Sequence, residues 1–285
     1  MRARGVAILS LIISSAALAA PEPKQPTGKW IVHFDAAQCV ATRNYGSEDK
    51  PVHLVLKAPP IGDVLQIGVV WKGGPRDAIQ TRGEVVFDNG EPITTSLIEF
   101  GNKKLGQRAL LVNLPTRDLA PMRQASSIRI RARSSNNVRL GSRLSLGSST
   151  VDETFALSQM SSLLKMMDTC TADLRKVWNV YDEKVPGPLK EPPLGNLVGL
   201  FDAEDYPGIA LFNDQMGAVS MVLLIDETGK VADCTVTQTS GVAALDVQSC
   251  AVIKERAKFK PAVGQDGKPA KSSWLQRINW RISGV

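Results

Sequence analysis

The chain has 285 residues, 43% hydrophobic and 22% charged, which excludes a disordered chain and lets a core form without a metal staple. That length favours about two domains. The net charge of +6 permits contact with nucleic acid, lipid headgroups or anionic polymers but does not select among them.

The elements begin with a basic Met1-Arg2-Ala3-Arg4, an apolar run from Gly5 to Ala17, and the small-x-small pattern Ala17-Leu18-Ala19. Residues 1–20 therefore read as a secretory signal peptide, with the mature chain starting at Ala20 or Pro21. The apolar run is shorter than the ~20 residues that span a bilayer. The expectation is an exported periplasmic protein, near the membrane but not in it. It would be anchored in the inner membrane only if the segment stayed uncleaved. Pro21 to Gly28 reads as a short tether. The four cysteines, Cys39, Cys170, Cys234 and Cys250, suit an oxidising compartment, and their number alone leaves three pairings open.

Residues 28–180 read as a β-rich domain. Short runs of β-formers recur between turn residues: KWIVHF, CVATR, VHLVLK, VLQIGVVW, EVVF, ITTSLIEF, RALLVNL, SIRIRAR and VRLGSRLSL. Asp88-Asn89-Gly90 marks a hairpin, and the regular spacing predicts an all-β sandwich or barrel. The period then changes. Thr150-Val151-Asp152-Glu153 fits a capping box, and Leu157, Met160, Leu164, Met167 and Leu174 recur at helical spacing with Cys170 among them. One helix should pack on the β domain and bring Cys170 to Cys39. Residues 181–199, rich in Pro and Gly, read as a linker.

From residue 200 to 285 the order is β-β-α-β, an α+β unit. Val219, Met221, Leu223 and Ile225 alternate on one strand, and Cys234 and Val236 share a face of the next. Leu245, Ser249, Val252, Ile253 and Ala257 make a helical stripe with Cys250 at its edge. Strand parity turns Cys234 toward that helix, which predicts a Cys234–Cys250 disulfide worth about 3 kcal/mol by chain entropy. Phe259 plugs the helix end, Pro261 stops the helix, and a strand from Trp274 to Ile282 closes the sheet.

These last residues resemble the C-terminal domain of the TonB energy-transducer family. The resemblance is carried by Tyr206-Pro207 with Ala210, Gly217 with Val219, Asp226 with Gly229-Lys230-Val231, Ser240-Gly241, Leu245-Asp246, Phe259 with Pro261-Ala262, and Gly267-Lys268-Pro269. It implies binding of an outer-membrane TonB-dependent receptor, or another envelope protein, through strand addition at a sheet edge. The last strand is the expected edge, with Trp274, Gln276, Arg277, Asn279 and Arg281 as its partner-binding residues. Trp274, Ile278 and Trp280 should face the helix, and Arg277 and Arg281 the solvent. A cleavable leader and a folded β domain stand where such transducers carry an anchor and a Pro-rich spacer. The resemblance thus implies binding rather than pulling.

No enzyme is expected. The chain has no G-x-S-x-G, Walker or G-x-G-x-x-G motif, and His33 and His53 lack an evident third metal ligand. Adjacent Asp226 and Glu227 read as turn residues. No cofactor, small-molecule substrate or nucleic acid is implied, the last because aromatics do not interleave with the basic residues. Arg129, Arg131 and Arg133 share a strand face, followed by Arg139 and Arg143. They form either a solvated face or a patch for anionic cell-wall or lipid material. The patch supports an alternative reading, a non-catalytic structural protein of the envelope.

Overall fold

The structure is a computed structural model that describes residues 22–61, 64–102, 104–133, 151–180 and 189–282. The leader at residues 1–20 and the strand expected at VRLGSRLSL lie outside them. Among the described residues the β domain has nine strands: β1 (Ile31–Phe34), β2 (Cys39–Asn44), β3 (Val52–Ala58), β4 (Val64–Lys72), β5 (Arg76–Phe87), β6 (Ile93–Asn102), β7 (Gln107–Pro115), β8 (Ser127–Arg133) and β9 (Asp152–Ala156). They form one antiparallel sheet in the order β1-β2-β3-β4-β7-β6-β5-β8-β9, curved into a half-barrel.

This corrects the expected sandwich or barrel. Alternation puts Leu54 and Leu56, Leu65 and Ile67, Val85 and Phe87, Leu110 and Val112, and Ile128 and Ile130 on the inner face, where all are buried. Helix α1 (Met160–Val177) covers that face with Met160, Leu163, Leu164, Met167 and Leu174, so no second sheet is required. Each fully buried Leu or Ile contributes about 1.5–3 kcal/mol. The Cys39–Cys170 disulfide ties α1 to β2 across 131 residues.

Two local readings are also corrected. Asp152 and Glu153 do not cap a helix. They begin β9, where Asp152 accepts two hydrogen bonds from Arg129, each 2.6 Å, and Phe155 is fully buried in the core. The helix starts at Met160 instead, after Gln159 in a left-handed conformation. The segment read as a tether is also engaged, since Lys24 exchanges main-chain bonds with Thr154 and Ala156.

The supposed linker is structured in its second half. There β10 (Leu189–Glu191) and β11 (Leu194–Gly195) precede α2 (Gly208–Phe212). Next come β12 (Gly217–Ile225), β13 (Val231–Gln238), α3 (Ala243–Arg256), β14 (Phe259–Lys260), β15 (Ala262–Gly264), β16 (Pro269–Ala270) and β17 (Ser272–Trp280). Strand β10 pairs with β15 and β11 with β14, so the Pro-rich stretch is held by main-chain bonds to the segment after α3. The plain β-β-α-β order is therefore elaborated by short ladders. The long strands form a three-stranded antiparallel sheet in the order β13-β12-β17.

Helix α3 lies on one face of that sheet. Val219, Met221, Leu223 and Ile225 are fully buried against Leu245 and Ile253, joined by Phe259 and Trp280. Ser249 Oγ donates to the Leu245 carbonyl at 2.7 Å and accepts the Trp280 indole N–H at 2.9 Å, which satisfies both buried polar groups. On β12 the opposite face is buried too: Val222 is covered, and Leu224 joins the core of the β domain. The two domains also meet where Asn179 Nδ2 donates to the Lys271 carbonyl at 2.7 Å and the Lys271 ammonium sits 5.0 Å from the Trp178 ring.

Candidate functional site

An edge strand offers unpaired main-chain donors and acceptors, so the edges of the last sheet are where a partner can add. The two edges differ. Strand β13 is turned toward the β domain: Cys234 to Thr237 line a cavity of about 470 Å3 together with Gln66, Ile98, Phe100 and Leu111. Among the described residues, strand β17 pairs with β12 alone.

Three contacts establish which main-chain groups of β17 look outward. Ser220, the register partner of Arg277, gives its carbonyl to the Thr237 hydroxyl on β13 at 3.2 Å, so it faces away from β17. The Arg277 carbonyl accepts the Gln276 side-chain amide at 2.8 Å, and the Lys271 carbonyl accepts Asn179. Main-chain direction alternates along a strand. The outward set is therefore Ser273, Leu275, Arg277 and Asn279, and the Gln276 main chain bonds β12.

The expected edge residues divide between the last strand and the segment after it. Trp274, Gln276, Arg277 and Asn279 lie on β17, whereas Arg281 follows its last residue. The strand runs Ser272–Trp280 rather than Trp274–Ile282, because β12 begins at Gly217, opposite Trp280. Trp280 is buried, and Trp274 and Ile278 pack half-buried on the helix side. Trp274 donates its indole N–H to Gln276 Oε1 at 3.1 Å, so the Gln276 side chain shares the helix side. Arg277, Asn279 and Arg281 are exposed. Leu275 was not singled out from sequence and is 73% exposed on the face shared with Arg277. Its signal was an apolar residue at an outward position of an otherwise alternating strand.

Flanking contacts fix this edge in place. Trp280 is met edge-on by Phe201 and Tyr206, and Phe259 packs on Trp274. The Tyr206 hydroxyl donates to the Gln215 carbonyl at 2.6 Å. Strand β13 is joined to α3 by the Cys234–Cys250 disulfide, which spans 16 residues. Asp226 takes bonds from the Thr228 amide and hydroxyl and the Lys230 amide, a closed turn. Burial pushes its carboxyl upward, but those bonds outweigh burial and hold it below the usual range.

The other candidates assemble less. Arg129 clasps Asp152 and Arg131 pairs with Glu84, so the basic face is at least partly neutralised, and Arg139 and Arg143 lie outside the described residues. His33 and His53 stand on β1 and β3, opposite Val40 and Asn44. Among the described residues, no group of three His, Cys, Asp or Glu side chains is placed to hold a metal ion. Nor is any described helix long and apolar enough to cross a membrane.

With the fold and the edge defined, residues 202–282 match the family model described as Gram-negative bacterial TonB protein C-terminal. Neither the curated proteins nor the solved structures contain a significant match to the chain.

Proposed function

We propose that this protein captures an extended segment of a cell-envelope partner, the periplasmic tail of an outer-membrane receptor, as a fourth strand on β17 in TonB-dependent transport. The observation that carries this reading is that β17, among the described residues, pairs with β12 alone, within a domain that matches the TonB C-terminal family. An added strand would draw its affinity from main-chain hydrogen bonds and its selectivity from side chains. Leu275 would pack beneath an apolar residue of the guest, while Arg277 and Arg281 would favour acidic neighbours. No step of chemistry is assigned to the chain. The test is capture of the full chain by immobilised periplasmic-tail peptides of outer-membrane receptors. Retention is expected, with loss on addition of free peptide; no retention by any tail rejects strand addition.

A further inference from the structure

The end of helix α1 in the β domain reaches Lys271, next to the β17 edge of the other domain. Helix α1 ends at Val177, and Trp178 is locked there, almost wholly buried, with its indole N–H donating to the Ala36 carbonyl at 2.7 Å. The Cys39–Cys170 disulfide fixes the same helix. Asn179 follows at φ +52°, and this turn carries its side-chain amide onto the Lys271 carbonyl at 2.7 Å. Lys271 is held from a second direction, with its ammonium 5.0 Å from the Trp178 ring.

The Lys271 carbonyl has the same outward parity as Ser273, Leu275, Arg277 and Asn279. It would be the next main-chain acceptor for a strand running along β17, and it is taken by a donor held on the β domain beside the buried Trp178, whereas the Arg277 carbonyl is met by the side chain of its own neighbour Gln276 in a solvent-exposed contact. We infer that Asn179 of the β domain is a stop at one end of the β17 edge; with β17 itself ending at Trp280, it confines an added strand to Ser273–Asn279 and so sets its length and register. This inference rests on the strand-addition reading. It gives the β domain a specificity role: a guest is read only over the seven residues from Ser273 to Asn279, and a one-residue slip would exchange its two faces.

The probes are receptor-tail peptides of about five, seven, nine and eleven residues, titrated against the full chain, Asn179→Gly and Asn179→Asp. Glycine keeps the left-handed turn and removes the donor. Aspartate keeps the shape and places an acceptor against a carbonyl. In the wild type, affinity should rise up to about seven residues and then level off. In both variants it should rise a further threefold or so by about nine residues, as one more main-chain bond forms. A purely structural role for Asn179 would shift all lengths alike, and melting curves separate that effect. If peptides bind but all three proteins share one length profile, the stop is rejected and strand addition stands. If no peptide binds the wild type, strand addition fails and the stop falls with it.

Discussion

Asp205 sits at the entrance to the last domain and fastens it to the end of α3. Its carboxylate receives the Arg256 guanidinium through two bonds, at 2.7 and 2.8 Å, and the Asp202 amide at 2.9 Å. The Asp202 amide is the largest cause holding this carboxyl below its usual range, and Arg256 adds to it against the opposing effect of burial. The folded value lies below the unfolded value of about 3.9. Between the two, the unfolded chain binds more protons, so stability rises with pH. The contribution is complete above about pH 4 and is lost as pH falls through the folded value. Urea midpoints measured from neutral to strongly acid pH should fall for the wild type. Asp205→Asn should start lower at neutral pH and fall less steeply. An unchanged slope would mean that other lowered carboxyls, such as Asp152 and Asp226, account for the acid sensitivity. Backbone geometry gives a second residue-level test. Gly229 has φ +81°, and a Cβ there would lie 1.9 Å from the Phe259 carbonyl oxygen, whereas Gly241 has φ +85° with open space around it. Gly229→Ala should therefore cost at least about 2 kcal/mol, and Gly241→Ala about 1 kcal/mol. Equal costs would show that φ alone matters at Gly229.

At the scale of elements, β17 makes opposite demands on neighbouring positions. A proline at Asn279 removes an outward donor that no main-chain neighbour uses, so the fold should survive while peptide capture weakens about tenfold or more. A proline at Gln276 removes a bond to β12 and should destabilise the domain by about 3 kcal/mol. Alanine at either position should do little. Circular dichroism melts beside peptide titrations check both, and a folded Asn279→Pro protein with full affinity would remove β17 as the docking edge. This asymmetry was hidden in the sequence, where Gln276 and Asn279 look like equivalent polar positions. The strands themselves were legible because alternation reports that one face is buried. What covers that face was not, and the half-barrel closed by α1 therefore looked like a sandwich or barrel. The Thr-x-x-Glu pattern before α1 fits a capped helix as well as a strand, and only the distant partners Arg129 and the Phe155 pocket decide for β9. Strands β10 and β11 carry no periodicity, being three and two residues long and paired with residues about 70 positions away. The alternation of Val219, Met221, Leu223 and Ile225 was legible, but the unbroken apolar run from Met221 to Ile225 also marks a central strand covered on both faces, which the reading by alternation passed over.

That second buried face governs the behaviour of the whole molecule. Leu224 projects from the back of the last sheet into the core of the β domain, Asn179 and Trp178 hold Lys271, and the Lys57 ammonium lies 3.9 Å from the buried Asp233 carboxylate. The two disulfides act within the domains, not between them. By loop entropy, Cys39–Cys170 contributes about 5 kcal/mol and Cys234–Cys250 about 3 kcal/mol. Cooperativity between the domains must therefore come from the shared packing. Heating the oxidised wild type should give a single calorimetric transition, because melting the β domain strips the cover from Leu224 and melting the last domain pulls Leu224 out of the β-domain core. Leu224→Asp places an unpaired charge in that contact, at a cost of about 3 kcal/mol or more, and should split the transition in two. In the split protein, replacing Cys39 and Cys170 with serine should lower only the transition of the β domain. Replacing Cys234 and Cys250 should lower only the other. Peptide mapping of the oxidised protein provides the covalent control: a peptide joining Cys39 to Cys234 would contradict both pairings. Two well-separated transitions in the wild type would show that the domains melt independently. The Asn179 contact would then be too weak to hold its place on the β17 edge.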